Sequence, residues 1–136
     1  MSDKIVIRNS YSHRVSTVKK SNGHSILRII AYINARKLLN SMTGQEHNFS
    51  KKSGVIETGF FMPYGIKTDM SEEQFYNHIE NNSHASANII AYSSIAALPP
   101  EVSKKEQVKL VEEFCNMFTD IYGTSISFAI HEADNL

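Results

Sequence analysis

The sequence predicts an α+β domain built on an antiparallel or mixed sheet, with helices packed mainly on one face. Strand-like and helix-like segments alternate along the chain, and two helix starts carry a capping-box pattern, at Ser71 and Ser103. The last segment, from Thr124 to His131, alternates apolar residues with small or polar ones, as a strand does. Its Ile/Phe side needs a covering layer, whereas we expect its Ser/Ala/His side, including His131, to stay open.

The first half of the chain predicts a strand, a helix, a polar connection and a second strand. In order, these are a strand at residues 14–20, a turn at Ser21-Asn22-Gly23, a helix from Ile26 to Leu39, a loop or hairpin at residues 40–53, and a strand at residues 55–62. Pro63 and Gly65 close that strand, since both residues favour turns.

The second half predicts two helices and the final strand. The Ser71 capping box opens a helix that runs to about Ser86. Residues 89–98 are compatible either with an extension of that helix or with a short strand, and Pro99-Pro100 ends the segment. The Ser103 capping box opens an amphipathic helix that Gly123 stops.

Composition restricts the class of protein. The 136 residues suffice for one domain with a single core, and no apolar run has the length of a membrane span. The N-terminus lacks a signal-peptide core, and a single cysteine, Cys115, suits a reducing compartment; we therefore expect a cytoplasmic protein without membrane insertion. Cys115 lies on the apolar stripe of its helix, which favours a buried structural thiol over a nucleophile.

Charge is distributed unevenly, although the net charge is zero. Residues 1–60 hold ten Lys or Arg against three Asp or Glu, and residues 61–136 hold four against eleven. Such asymmetry indicates either a polyanionic partner for the first half or mutual neutralisation of the two halves in the fold. The sequence leaves both interpretations open.

The first predicted helix carries the candidate chemistry. Arg28, Tyr32 and Arg36 are spaced four residues apart and would line one helix face. A phenol between two guanidinium groups is suited to meet a phosphate, because Arg binds phosphate oxygens in a bidentate fork. The alternative is an ordinary boundary tyrosine with an exposed hydroxyl on an amphipathic helix.

A set of short motifs follows in a fixed order along the chain: Ser25, Ala31-Tyr32, Lys37-Leu38, Thr43-Gly44, His47, Phe49, Lys51-Lys52, Gly54-Val55, Asn77, Glu80, Ala97-Leu98-Pro99, Glu101, Gln107, Leu110-Val111, Glu113-Phe114 and Ala129-Ile130-His131. In this order the motifs resemble the MobA/MobL family of plasmid-mobilisation relaxases. Each one is common by itself, whereas their order and spacing together are specific. The resemblance covers residues 15–135.

The resemblance implies a relaxase or rolling-circle-initiator-like fold and the nicking of one DNA strand at a transfer origin. Tyr32 matches the nucleophile of the family, and the product would be a 5′-phosphotyrosyl–DNA link. A phenol has an ordinary pKa of about 10, and a divalent metal, Mg²⁺ or Mn²⁺, would offset the charge that develops on the phosphate. His131 matches the first metal ligand. The implied partners are single-stranded DNA at the origin and relaxosome accessory proteins.

The remaining candidates are DNA contacts. We assign phosphate binding to four basic side chains: Arg28, Arg36, Lys51 and Lys52. His47, in the polar connection beside the two lysines, is interpreted either as a DNA contact or as a solvated loop residue. Glu80 is interpreted as a surface or structural residue rather than a ligand.

The chain also departs from the family pattern. The resemblance implies a His-x-His pair after His131, whereas the sequence reaches Leu136 without one. We therefore expect an extension at residues 1–13 and a relaxase-like domain at residues 14–136 that is incomplete at its C-terminus. Ser93-Ser94-Ile95-Ala96 also lacks the glutamate that the family carries before Ala-Leu-Pro.

Two function classes follow from these departures. The chain is a DNA-nicking relaxase if ligands beyond Leu136 complete the metal site. Alternatively, it is a catalytically inactive, truncated relaxase remnant that binds single-stranded DNA or relaxosome partners.

Overall fold

The computed structural model describes residues 13–63, 69–83 and 89–132 and confirms the α+β class. Six strands are present in these residues: β1 His13–Val18, β2 Lys37–Leu39, β3 Glu46–Asn48, β4 Val55–Phe61, β5 Ala91–Ala96 and β6 Ile126–His131. Three α-helices accompany them: α1 Ile26–Asn34, α2 Glu72–Asn82 and α3 Lys104–Tyr122. Almost all of the predicted extension, residues 1–12, lies outside the described residues, as do residues 64–68, 84–88 and 133–136.

The strands pair antiparallel, in the couples β1–β5, β2–β3 and β4–β6. The segment that was compatible with a helix or a strand is strand β5, and the helix before it ends at Asn82 rather than near Ser86. Pairing with β1 decides this, because each residue from Ala91 to Ala96 finds a cross-strand neighbour.

Helix α1 is five residues shorter at its C-terminus than the sequence predicts. Ser25 caps its N-terminus by accepting a hydrogen bond from the Arg28 amide. The helix ends at Asn34, since Ala35 adopts a left-handed conformation with φ of 51°. The following residues pair with β3 instead. Local helix propensity over residues 35–39 is thus outweighed by long-range strand pairing.

The start of α2 is confirmed as a capping box. Helix α3 starts and stops where predicted, but its start shows only the Ser103 cap and no return bond from the Glu106 side chain. The Ser71 hydroxyl accepts from the Gln74 amide, while the Gln74 side chain accepts from the Ser71 amide. Ser103 caps α3, and Gly123, with φ of 62°, ends it. None of the helices in the described parts of the chain has the length and apolar character that crossing a bilayer requires.

Two apolar clusters are present among the described residues. The first surrounds α1 and contains Val18, Ile26, Leu27, Ile30, Ala31, Leu38 and Tyr76. The second lies between α3 and the β4–β6 pair and contains Cys115, Phe128 and Ile130. Gly59 permits the β4–β6 packing, because a Cβ there would collide with the Phe128 ring.

The expectation that the Ser/Ala/His side of the last strand stays open is wrong. The Tyr76 hydroxyl on α2 lies 2.8 Å from Ser127 Oγ, and the His131 ring lies against the end of α1. Helices therefore contact both faces of the β4–β6 pair. His131 is half-buried as a result.

We expect the stability of the protein to fall in alkaline solution, because two buried acids resist ionisation. Burial raises the pKa of Tyr76 to about 12, with Glu72 adding to the rise and the Ser127 hydrogen bond opposing it. Burial also raises the pKa of Cys115, from 9.0 to about 11, with a contribution from Glu112. Each folded-state pKa is above the unfolded value, so the unfolded chain loses these protons first as pH rises.

The two groups therefore contribute stability that is complete below about pH 9 and is lost between about pH 9 and 12, by at most ~1.4 kcal/mol per pH unit and per group. Urea denaturation at a series of pH values measures this. Tyr76→Phe should flatten the upper part of the profile, whereas Tyr92→Phe, at an exposed tyrosine, should not. A free energy of unfolding that stays constant from pH 9 to 12 would contradict the assignment.

Candidate functional site

Tyr32 lies on the outward side of α1, with 41% of its surface exposed. Its ring packs edge-on against Phe49, with a centroid separation of 5.3 Å and an interplanar angle of 87°. Phe49 directly follows the β2–β3 hairpin, and the sequence alone did not assign it to the site. This T-shaped contact orients the phenol ring and leaves the residue accessible to a ligand.

Lys52 connects Tyr32 to the end of the last strand. Its Nζ lies 4.4 Å from the centroid of the Tyr32 ring, within cation–π distance. The same ammonium lies 3.4 Å from His131 Nδ1. A turn brings Lys52 into this position, because its amide donates to the Phe49 carbonyl at 3.0 Å.

The protonation pattern of His131 follows from its partners. Its Nε2 lies 2.7 Å from the Ile33 carbonyl oxygen, which can only accept a hydrogen bond, so Nε2 carries the proton. Nδ1 of the neutral ring then holds a lone pair and accepts from the Lys52 ammonium. His131 thereby ties β6 to the C-terminal end of α1, one residue beyond Tyr32.

Arg28 completes a group that we call the tyrosine cluster: Arg28, Tyr32, Phe49, Lys52 and His131. The Arg28 guanidinium carbon lies 5.2 Å from the centroid of the Phe49 ring. The cluster thus joins an accessible phenol to two cations and an imidazole. Such a surface can bind an anion such as a phosphodiester and can place it beside a hydroxyl.

Arg36 does not belong to this cluster, and its predicted place on the Tyr32 helix face is wrong. It follows the helix end and forms an ion pair with Glu72, with Nη1 2.9 Å from Oε1. The Asn34 side chain donates to the same carboxylate oxygen at 2.9 Å. Arg36 therefore helps to hold the turn between α1 and β2 against α2.

The two other predicted DNA contacts differ in accessibility. Lys51 is exposed in the turn after β3. His47 is only 5% exposed, since it lies in β3 opposite Leu38 and not in an open loop. Both interpretations of His47 from the sequence required a solvent-accessible ring, and the strand pairing turns that ring inward. Its Nε2 has no hydrogen-bond partner among the described residues.

A polar row on α2 holds the Tyr32 helix in place, and the sequence did not indicate its role. The buried Glu80 carboxylate accepts from Ser25 Oγ at 2.7 Å, from the Leu27 amide at 3.3 Å and from Asn40 Nδ2 at 3.0 Å. It therefore satisfies donors at the N-terminus of α1 and in the hairpin at once. The structural interpretation of Glu80 is confirmed, and its surface interpretation is wrong.

Asn77 and Glu73 extend this row by one and two helical turns. Asn77 donates to the Leu39 carbonyl at 2.9 Å and accepts from the Ser41 amide at 2.8 Å. Glu73 accepts from the Leu39 amide at 2.9 Å. In the sequence, this row is visible only as two glutamates and an asparagine spaced along one helix face. That spacing alone does not predict which backbone groups these side chains bind.

The described residues do not fit a divalent metal. Within residues 13–63, 69–83 and 89–132, no three side chains of His, Cys, Asp or Glu come together in a way that could hold a metal ion. The lone pair of the matching ligand, His131 Nδ1, faces the Lys52 ammonium. One imidazole beside a cation is too small a ligand set for Mg²⁺ or Mn²⁺.

Comparison with known proteins agrees with this architecture. The fold matches a solved structure described as "Molecular Basis of Vancomycin Resistance Transfer in Staphylococcus aureus", with a TM-score of 0.81 and 18% identity over 91% of this chain and 63% of that one. Among curated proteins, the chain is similar to the mobilization protein MobL of Acidithiobacillus ferridurans (23% identity over 121 residues) and to a probable mobilization protein MobA of Bifidobacterium longum strain NCC 2705 (21% over 123 residues).

These alignments include 89% and 90% of this chain but only 32% and 22% of the two relatives. The chain thus spans a third or less of their length. A model of the MobA/MobL family matches residues 24–135, which include α1, the hairpin, α2, α3 and β6. The chain therefore belongs to the MobA/MobL family of mobilisation proteins.

Proposed function

We propose that this domain binds single-stranded DNA across the tyrosine cluster and that Tyr32 is the nucleophile that cuts the strand. The observation that carries the proposal is the contact of the Lys52 ammonium with both the Tyr32 ring and His131. It places a fixed positive charge beside an accessible phenol. Membership of the mobilisation family supports DNA as the substrate.

In the proposed reaction, the Tyr32 oxygen attacks the phosphorus of one phosphodiester. The bond from phosphorus to the 3′ oxygen breaks, so the upstream strand leaves with a free 3′-hydroxyl and the downstream strand stays attached through its 5′ phosphate. The phenol proton passes to solvent as the new P–O bond forms, since Tyr32 is exposed, and the leaving 3′ oxygen takes a proton from solvent. Rejoining is the reverse of this exchange, because the phosphotyrosyl link conserves the energy of the broken bond.

The cations of the first half have distinct proposed tasks. Lys52 and Arg28 would contact phosphates next to Tyr32, and the exposed Lys51 would contact a neighbouring one. Arg36 would reach DNA only by giving up its ion pair with Glu72. We therefore assign DNA binding to Arg28, Lys51 and Lys52 first.

A divalent metal would enter only with ligands other than those described here, and His131 would join them only by exchanging the Lys52 ammonium at its Nδ1 for the ion. When bound, such an ion would withdraw charge from the scissile phosphate. Nicking that requires Mg²⁺ or Mn²⁺ would indicate that these ligands exist.

Replacement of Lys52 by glutamine is expected to weaken single-stranded DNA binding about ten-fold. The negative slope of log affinity against log salt should become less steep by about 0.7. The reason is the loss of one phosphate contact and of its released counterion. Fluorescence anisotropy with a labelled oligonucleotide at several salt concentrations measures both quantities. Lys105→Gln, on the exposed side of α3, is the matched control and should change neither. Unchanged binding by Lys52→Gln would remove this residue from the interface.

The nucleophilic function is tested with oligonucleotides that cover the transfer origin of the element that encodes the chain. A label at the 3′ end should move to a slowly migrating, protein-linked band on a denaturing gel. A label at the 5′ end should appear on a shortened free strand. Salt-sensitive binding without either product would favour the second function, an inactive domain that only binds single-stranded DNA.

A further inference from the structure

Helix α3 exposes an apolar stripe that the described residues of the domain do not cover. Cys115 and Thr119 face the core, while the outward side presents Leu110 (48% exposed), Phe114 (51%), Met117 (54%) and Ile121 (64%). These four residues are spaced by four, three and four positions, which is the seam of a helix that packs against another helix. Phe118 and Tyr122 continue the apolar surface toward the core, with ring centroids 4.7 Å apart.

A row of carboxylates follows the other side of this stripe. Glu106, Glu113 and Asp120 are spaced by seven residues, so they lie above one another along the helix. All three residues are exposed, and none forms an ion pair with another described residue. Lys109 lies farther from the stripe than this row. The outer face of α3 thus combines an apolar seam with a uniformly acidic border.

We propose that this face, which consists of Leu110, Phe114, Met117 and Ile121 bordered by Glu106, Glu113 and Asp120, binds an amphipathic helix of another protein. The partner helix would carry apolar residues along its seam and lysine or arginine along the border that meets the carboxylates. The seam supplies the buried contact, since two facing helices interdigitate such side chains. The acidic row selects the partner and its orientation through opposite charge.

The same pattern argues against a second copy of this chain as the occupant. In an antiparallel pair of α3 helices, residues of this border would face each other, which places Glu113 beside its own copy and Glu106 beside Asp120. In a parallel pair, the border would meet Val111 and Phe118, and the carboxylates would lose water without gaining a cation. Like-charge contact and unpaired desolvation both oppose self-association.

Synthetic peptides test the proposal on the 136-residue chain. One 21-residue helical peptide carries leucine on its seam and lysine at the bordering positions, and a matched peptide carries glutamate at those positions. Fluorescence anisotropy with labelled peptide should show at least about ten-fold tighter binding of the lysine peptide, and added salt should reduce this preference.

Three variants provide the decisive comparisons. Met117→Glu should abolish binding of the lysine peptide, and the triple change Glu106→Lys, Glu113→Lys and Asp120→Lys should reverse the preference between the peptides. Glu112→Lys, at an exposed position outside the row, should leave the preference in place. Circular dichroism checks that each variant is folded, which these exposed positions favour.

Three outcomes would overturn the proposal. One is equal binding of both peptides, and another is binding that survives Met117→Glu. The third is a concentration-dependent dimer in sedimentation equilibrium that Met117→Glu dissociates, since this would assign the face to a second copy of the chain.

Discussion

Replacing Tyr32 by phenylalanine is expected to abolish the covalent protein–DNA product, with a fall of at least about a thousand-fold in its rate of formation. The substitution removes only the nucleophilic oxygen. The ring that packs against Phe49 and lies beneath Lys52 remains, so single-stranded DNA binding should change less than about two-fold. The denaturing-gel assay with a 3′-labelled origin oligonucleotide measures the product, and anisotropy measures binding.

A second tyrosine provides the matched control. Tyr92 lies on β5, which is paired with β1, and is 69% exposed. Tyr92→Phe should therefore form the covalent product at the unaltered rate. Formation of the product by Tyr32→Phe would show that another residue is the nucleophile. Loss of the product in both variants would indicate an indirect effect.

Replacing Glu80 by alanine is expected to lower the free energy of unfolding by about 3 to 5 kcal/mol. The change leaves the donors of Ser25, Leu27 and Asn40 without their shared acceptor in a buried region. A typical domain is stable by only about 5 to 15 kcal/mol, so this variant should approach the unfolding threshold. Urea denaturation monitored by circular dichroism measures the loss.

The control and the rescue distinguish this network from a general effect of removing glutamate. Glu112→Ala, at an exposed position on α3, should change stability by less than about 0.5 kcal/mol. Glu80→Gln retains the oxygen that accepts from α1, but its NH₂ group then faces the NH₂ group of Asn40, so two donors meet. Adding Asn40→Asp supplies an acceptor and should restore that contact. A loss below about 1 kcal/mol for Glu80→Ala would mean that water replaces the carboxylate.

Elements with strong local signals were predictable from the sequence. The Ser71 capping box, the Gly123 stop and the alternation of β6 involve residues close together in the chain, and all three are confirmed. The end of α1 was not predictable in this way. Residues 35–39 have the composition of a helix, and only the pairing of Lys37–Leu39 with Glu46–Asn48 turns them into a strand.

The candidate site, too, was predictable only in part from the sequence. The order of motifs indicated the MobA/MobL family, which the family match over residues 24–135 confirms. It also selected Tyr32, Lys52 and His131, which the fold brings together. Helix spacing placed Arg36 on the face of Tyr32, yet Arg36 lies beyond the helix end, where it stays exposed and pairs with Glu72. His47 was expected to be accessible, whereas its strand pairing buries it. Phe49 was part of the motif set but received no role from the sequence, although its ring contacts both Tyr32 and Arg28.

The sequence by itself determined the α+β class, the starts of the helices and the family, because these depend on short-range capping, periodicity and the order of residue types. The tertiary structure alone decided which side chains meet. Lys52 contacts His131 across 79 positions, and His131 contacts Ile33 across 98. Such contacts depend on how α1 and β6 pack. The buried carboxylate of Glu80 ties α1 to α2, and the Tyr76 hydroxyl ties α2 to Ser127 of β6. No local pattern encodes these distances, since many residues along the chain contribute jointly to the free energy that sets them.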